Sequence, residues 1–477
     1  MRKYFLLSSL SMSLILAGCA APDNIKPHNQ LIDGKSIQSD ASLAHLTQAQ
    51  WPADDWWSHL QDPQLNQLIR EALQQSPDLQ LANARVMQAE AFMDQTDSKF
   101  EPTMGASAGI TRARQSKLDD YTLVGDRYGT SRHVGVNFDY SFDLWGGKRD
   151  AWEASVNNAK AAEVDRQAAK IMLSTSIART YVQLANAYMM EDLAKKDLAR
   201  TTNMADITNR LLKNGLTSDD RLYTAQSAAA IAKQALKQRS LTIAQLKNTL
   251  AALTGAGPDR AMTITRPVVN VANPLALPKN LPADLLSHRP EIVAAKWRVE
   301  AADKQIAAAK TQFYPNIDLS ASAGVKSLVG DSFFGRTSKY WTVGPALSLP
   351  IFTGELKANL KTQTAGYDTA VAQYNQSVIN AFHDVSDKVL TLQSVSQQIL
   401  DAQDSMSLAE KSYQITENRY NSGMGSQLEV LMAEQQLLQA ESLFTTLRSQ
   451  QQDEQIQLIQ ALGGGFTAPA NETKQNS

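Results

Sequence analysis

Four short segments alternate apolar and polar side chains, and they restrict the fold of this chain more than any other feature. Val134, Val136, Phe138, Tyr140, Phe142 and Leu144 are separated by Gly135, Asn137, Asp139, Ser141 and Asp143. Ile317, Leu319, Ala321, Ala323 and Val325 alternate with Asn316, Asp318, Ser320, Ser322 and Gly324. Trp341, Val343, Pro345, Leu347, Leu349 and Ile351 alternate with Thr342, Gly344, Ala346, Ser348 and Pro350. A weaker alternation sets Met104, Ala106, Ala108 and Ile110 against Thr103, Gly105, Ser107 and Gly109. A period of two gives a strand one greasy face and one polar face. Strands of roughly 9–11 residues are long enough to cross a bilayer in a β-barrel. A soluble sheet exposed on one side shows the same pattern. In a bilayer every strand edge must be paired, so spanning strands close into a ring. Four strands cannot close, and a barrel of about eight is filled by its own side chains. Three chains would supply 3 × 4 = 12 strands and a lumen, so a homotrimer is expected.

The rest of the chain is written twice. A ladder in steps of 3 and 4 runs Leu222, Ala225, Ala229, Ala232, Leu236, Arg239, Ile243, Leu246, Leu250, Leu253. Adding 208 to each number gives Val430, Ala433, Leu437, Ala440, Phe444, Leu447, Gln451, Glu454, Leu458, Ala461. Only Arg239, Gln451 and Glu454 break the apolar pattern, which is that of a coiled-coil seam. Ser76-Pro77-Asp78-Leu79 matches Arg289-Pro290-Glu291-Ile292, and Asn214-Gly215-Leu216 matches Ser422-Gly423-Met424. Ala252-Leu253-Thr254-Gly255 matches Ala461-Leu462-Gly463-Gly464 at a step of 209. Each half reads helix, strand, strand, long helix, helix. Pro77 and Pro290 suit a first helical turn, with Ser76 as an N-cap. The proline-free segments Gly146–Asn214 and Gly354–Ser422 predict helices of about 70 residues, about 105 Å long at 1.5 Å per residue. Such helices exceed the thickness of a bilayer and are too rich in Gln, Asn, Lys and Asp to lie in one. They must project into water as a continuation of the barrel.

The chain begins with Arg2 and Lys3, an apolar core from Phe5 to Ala17, and Leu16-Ala17-Gly18-Cys19. This is a secretory signal that resembles a bacterial lipobox. The resemblance implies cleavage before Cys19, lipidation of that residue and sorting to the outer membrane. Cys19 is the only cysteine, so no disulfide forms within the chain. The six histidines are scattered, and 46 basic residues balance 48 acidic ones. Neither a metal site nor a nucleic-acid footprint is expected. No nucleophile elbow or phosphate-binding loop occurs, so neither enzymatic activity nor a cofactor is expected. Gly463-Gly464-Gly465 is read as a helix cap or frayed end. The expected organisation is a signal peptide (1–18), a lipidated tether or strap (19–60), a first repeat (61–255), a linker (256–281), a second repeat (282–465) and a polar tail (466–477).

Several motifs carry a family resemblance across nearly the whole mature chain. They are Trp56-Trp57 with Asp62-Pro63, Ser76-Pro77-Asp78-Leu79, Leu285-Leu286 with Arg289-Pro290-Glu291-Ile292, Phe313-Tyr314-Pro315, Leu349-Pro350-Ile351-Phe352, and Arg419-Tyr420 with Gly423. In these the chain resembles the TolC-like outer membrane factors, in their lipoprotein branch. The resemblance implies an α+β membrane protein: a trimeric channel-tunnel with a 12-strand barrel in outer membrane lipid and a helical tunnel in the periplasm. It implies a passive exit duct in a tripartite efflux pump, with a periplasmic adaptor and an inner-membrane transporter of the RND type as partners. The adaptor would meet the helical turns, here Gly215, Leu216, Thr217, Ser218 and Gly423, Met424, Gly425, Ser426. The periplasmic gate maps to Glu429 and Tyr420 in one half and to Asp219, Asp220 and Arg221 in the other. Three copies of Glu429 would form an acidic ring. Arg221 stands where some members carry an acid, so an Arg221–Glu429 pair is open as a replacement for the family's gate network. A type I protein-secretion channel and a structural envelope lipoprotein remain alternatives, and the cargo is not named by the sequence.

Overall fold

The computed structural model describes residues 22, 24–33, 48–49, 51–114, 128–268, 277–278, 281–327 and 333–468. Cys19, the signal segment and the end of the tail lie outside the described residues. The main elements are α1 (Pro63–Gln75), α2 (Pro77–Asp97), β1 (Thr103–Arg114), β2 (Tyr128–Ser141), α3 (Gly147–Lys213) and α4 (Asp219–Leu253). The same order returns as α5 (Leu281–His288), α6 (Pro290–Thr311), β3 (Asn316–Ser327), β4 (Lys339–Ser348), α7 (Gly354–Asn421) and α8 (Gln427–Ala461). Adding 208 to both ends of α4 gives both ends of α8. None of the described helices is long and apolar enough to cross a membrane.

Each half therefore opens with one helix more than the expected pattern. The cause is the proline step. A residue before proline is driven out of the helical region, so α1 stops at Gln75 and Ser76 takes φ −60°, ψ 128°. Ser76 is the C-cap of α1 and not a simple N-cap: its N–H bonds the Ala72 carbonyl, and its own carbonyl accepts from Gln80.

The chain divides into two compact units, each drawing on both halves. The first comprises Met1–Leu31, Val86–Ala162 and Ala295–Tyr374. It holds an antiparallel sheet in the order β1-β2-β3-β4. The register keeps like with like. Met104, Phe138, Ala321 and Val343 form one cross-strand row, and Ala106, Val136, Ala323 and Trp341 the next. Thr103, Asp139, Ser320 and Gly344 lie in a row of the opposite face, as do Gly105, Asn137, Ser322 and Thr342. A slip of one residue would exchange the faces, so the pattern itself specifies the register. Gly135 and Gly324 pair with each other, and a Cβ on Gly135 would lie 2.6 Å from the Tyr340 hydroxyl. The Tyr340 ring covers the two glycines, so side chains larger than hydrogen do not fit there.

The alternation continues in the sequence to Leu144 and Ile351, but β2 ends at Ser141 and β4 at Ser348. Asp143 turns its carboxylate back onto α3, accepting from the N–H groups of Lys148 and Arg149 at 3.0 Å each. Pro350 has no N–H to give to a ladder. Trp145 donates from its indole to the Pro315 carbonyl at 2.7 Å and packs on Tyr314.

The N-terminal strap is present in this unit. Ile25 packs against Ile306, Phe313 and Leu360, while Asp368 on α7 accepts the N–H groups of His28 and Asn29 at 2.9 Å each. The Asn29 N–H, and then that of His28, stabilise the Asp368 carboxylate and lower its pKa. A lowered pKa means that docking is strongest with the carboxylate ionised. It is complete above the ordinary carboxylate range and lost as pH falls through the depressed value. Amide exchange at His28 and Asn29, corrected for intrinsic rate, should be slow at neutral pH and lose protection on acidification. Asp368→Ala should remove that protection at every pH. Protection that survives in this variant would show that Asp368 does not hold the strap.

The second unit comprises Ile32–Arg85, Glu163–Ala294 and Asn375–Ser477. Its core brings Trp56, Trp57, Leu65, Leu68 and Ile69 against Ile177, Tyr181 and Leu184 of α3 and Leu250 of α4. Asp62, 4% exposed, accepts from the N–H groups of Gln64, Leu65 and Val268 and from the Tyr181 hydroxyl at 2.8 Å. Burial pushes the Tyr181 hydroxyl well above its ordinary pKa range, so it stays a donor to Asp62. Two of the polar breaks in the α8 ladder are satisfied by α7: Glu454 pairs with Lys388 at 3.1 Å, and Gln451 donates to Ser396. Arg289 donates to the Ala461 carbonyl at the end of α8 at 2.7 Å and pairs with Asp384 and Glu291.

Gly255 and Gly463, 208 residues apart, occupy the same place in the two repeats. Both have positive φ, 76° and 92°. A Cβ on Gly255 would meet the Gln75 carbonyl oxygen at 2.6 Å, and one on Gly463 would meet that of His288 at 1.8 Å. The repeats thus align here at 208, not at the expected 209. The run Gly463–Gly465 is no frayed end. All three glycines have positive φ, and each approaches other parts of the chain: His288, Ile171 and Ala53.

Candidate functional site: the sheet faces and the helical turns

The two helical turns have one geometry. At the first, Gly215 adopts φ 70°, its N–H bonds the Leu212 carbonyl, and the Leu216 N–H bonds that of Leu211. At the second, Gly423 adopts φ 73°, with bonds from Gly423 to Tyr420 and from Met424 to Arg419. This paired closure of the last carbonyls is a Schellman end, in which glycine bears the left-handed residue. No atom stands within 4 Å of a Cβ built on either glycine. The closure turns Leu216 and Met424 outward, 72% and 68% exposed, where water would otherwise exclude them.

The helices that follow start differently. Ser426 accepts from the Glu429 N–H, and the Glu429 carboxylate accepts from the Ser426 N–H at 3.1 Å, a full capping box. The matching third position of α4 is Arg221, which cannot close such a box. There Asp220 takes the capping role: its bond with Ser218, followed by backbone N–H groups, lowers its pKa. Asp219 joins it in the first turn, where carboxylates favour the helix N-terminus. Among the described residues of one chain, Arg221 and Glu429 do not form an ion pair. The Tyr420 hydroxyl reaches Gln427 at 3.5 Å. Sequence reading missed a further polar cluster beyond this turn. Arg200, 7% exposed, donates to Asp197 and to the Leu431 carbonyl, and burial raises the pKa of Glu434 nearby. Its sequence signal was the Asp197–Arg200 spacing, an i, i+3 pair of opposite charge on α3.

The sheet has two chemically distinct faces. On one, Met104, Ile110, Trp341, Val343 and Leu347 are between 61% and 75% exposed. On the other, Ser322 and Thr342 share a hydrogen bond at 2.6 Å, and Asn137 donates to Asp139. Among the described residues β1 and β4 each have a neighbour on only one side, leaving two open edges. Among the described residues no core packs against this wide apolar face, which suits hydrocarbon; the polar face suits water.

A sheet with one lipid-compatible face, two open edges and coiled-coil hairpins defines an outer membrane channel-tunnel subunit. The chain belongs to the family described as outer membrane efflux protein, which matches residues 68–256 and 281–464. It is 30% identical over 489 residues to the multidrug resistance outer membrane protein MdtP of Escherichia coli K12, covering 99% of each chain. It is 31% identical over 465 residues to SilC of Salmonella typhimurium, a probable outer membrane lipoprotein, covering 96% of this chain and 98% of the relative. The crystal structure of the outer membrane protein VceC of Vibrio cholerae superposes with a TM-score of 0.79 at 36% identity, covering 87% of this chain and all of that one. The fold class expected from the sequence, an α+β channel-tunnel subunit of the outer membrane, is therefore correct. Members of this family are transport proteins, and they work as trimers with adaptors and inner-membrane transporters.

Proposed function

We propose that this chain forms the passive outer membrane duct of a tripartite efflux pump that expels small toxic compounds. The observation that carries the reading is the in-register sheet with an unpartnered apolar face and two open edges. Each open edge leaves N–H and C=O groups that hydrocarbon cannot satisfy. Three chains pair β4 of one with β1 of the next and close a ring of 3 × 4 = 12 strands. Cys19 carries the lipid anchor, and the strap on Asp368 leads from it. The exposed Leu216 and Met424 turns dock an adaptor, which couples the duct to a transporter of the RND type. MdtP is named for multidrug resistance, which supports small-molecule efflux over protein secretion.

Ion conductance of the purified protein in a planar bilayer tests this directly. A trimer with steady conductance is expected; a monomer that does not conduct would leave only a tethered rod. The gate adds a finer arm. Glu429→Gln keeps an acceptor for the capping box but removes the charge, so cation selectivity should fall with little change in thermal midpoint. Glu429→Ala together with Arg221→Ala should raise conductance and also cost about 1 kcal/mol of cap stability. Unchanged selectivity in the Gln variant would remove Glu429 from the lumen.

A further inference from the structure

The apolar face of the sheet ends in a basic belt, and the belt is in register. On β1, four apolar residues of that face, Met104, Ala106, Ala108 and Ile110, are followed by Arg112. On β2, counted toward the same end, Tyr140, Phe138, Val136 and Val134 are followed by Arg132. On β4, Leu347, Pro345, Val343 and Trp341 are followed by Lys339. Arg114 lies one outward position beyond Arg112, with its guanidinium over the Tyr128 ring across the ladder. β3 carries one more apolar residue, Val325, and then Ser327.

The boundary does not run straight across the strands. Lys339 pairs with Val325, Val325 with Val134 and Val134 with Ala108. Lys339 is therefore level in register with Ala108, 112 − 108 = 4 residues below Arg112, over three strand steps. The helix-linked ends shift equally. Ser348 pairs with Asn316, two residues before the partner of Ser141, which is two residues past the partner of Thr103. A slope of four residues in three strands corresponds to a tilt of about 43°, taking about 3.4 Å per residue and about 4.8 Å between strands. Strands in membrane barrels tilt by roughly 35–45°. Along tilted strands the belt is level and parallel to the membrane plane, about 20 Å above the start of the apolar rows, near the usual height of the lipid-facing band.

The belt lies at the hairpin end of the sheet, opposite the ends that lead into the helices. All four cations are exposed, and none makes an ion pair among the described residues. No Asp or Glu occurs among the described residues of this end, 111–114, 128–133, 325–327 and 333–340. The helix-linked end, by contrast, mixes Glu101 and Asp143 with Lys99 and Lys148. Cations directly above a lipid-facing band stand at headgroup depth, and guanidinium forks match phosphate oxygens in pairs. We infer that Arg112, Arg114, Arg132 and Lys339 form a binding belt for the phosphate-bearing headgroups of the outer leaflet, seated on the lipid face of the barrel. This rests on the channel reading above.

The test uses the full assembled protein in nanodiscs containing either diphosphoryl lipid A or its dephosphorylated form, with retained lipid counted by native mass spectrometry. Wild type should retain the phosphorylated form at least tenfold better. The fourfold exchange R112Q/R114Q/R132Q/K339Q should bring that preference to within twofold of unity, and R112K/R114K/R132K should keep at least half of it. Should the fourfold variant not assemble, Arg132→Gln alone carries the test, with an expected threefold loss. A wild type without preference, or a fourfold variant that keeps it, overturns the belt. So does displacement of the lipid by millimolar inorganic phosphate, which would mark a free-anion site. Conductance separates the two readings: lipid preference in a protein that does not conduct sinks the duct alone, and normal conductance without preference sinks the belt alone.

Discussion

Gly463→Ala should lower stability by about 2–5 kcal/mol, adding the cost of a left-handed residue to that of overpacking. The two terms can be separated within this molecule. Gly423 has a similar positive φ but open space around its missing Cβ, so Gly423→Ala should lose only the backbone term, about 1–2 kcal/mol. At Gly463 the added carbon would lie 1.8 Å from the His288 carbonyl oxygen, and the obstacle is backbone, which cannot swing aside as a side chain would. Gly255→Ala should fall between them, since its closest approach is 2.6 Å. Thermal midpoints by circular dichroism and the yield of assembled protein would rank the three. Equal midpoints for the Gly423 and Gly463 variants would show that contact with the His288 carbonyl costs nothing.

Asp62→Ala should cost about 2–5 kcal/mol. The carboxylate caps α1, which alone is worth about 0.5–2 kcal/mol. Its loss also strands the proton of the buried Tyr181 hydroxyl, and a buried unsatisfied group costs about 1–3 kcal/mol. Tyr181→Phe removes one partner and leaves the cap, so about 1–2 kcal/mol is expected. The double variant should lose less than the sum of the singles, by about 1 kcal/mol or more, because the two groups share one bond. Strict additivity in the unfolding free energies would mean that the Asp62–Tyr181 contact carries no coupling.

Sequence made the larger periodicities legible because each rests on local chemistry. α4 and α8 were readable from a ladder that tertiary packing only had to accept, and the strands from alternation that the register then aligned. The turns at Gly215 and Gly423 were readable because glycine is the residue for a left-handed helix end. What escaped depends on distant partners. Nothing near Asp62 announces that its carboxylate will meet Tyr181, 119 residues on. Gln451 and Glu454 looked like defects in a seam until Ser396 and Lys388 faced them. Glu429 was read as a lumenal charge, yet its carboxylate also accepts from Ser426, a role visible in the spacing Ser-x-x-Glu. The ends of β2 and β4 were read too far because a carboxylate cap and a proline outweigh an apolar side chain in deciding where a ladder stops.

The sheet also dictates an order of events. Arg114 of β1 meets Tyr128 of β2, and Val325 of β3 meets Lys339 of β4, each across 14 residues, whereas Val134 of β2 finds Val325 of β3 across 325 − 134 = 191 residues. Closing a loop of that length costs about 2 kcal/mol more chain entropy than closing either short one, and such distant pairings form late. Helices nucleate and grow within microseconds, so α3 and α4, which lie in that loop, can shorten it before the sheet joins. The order expected is therefore helices and the two outer strand pairs first, with the central β2–β3 ladder formed last.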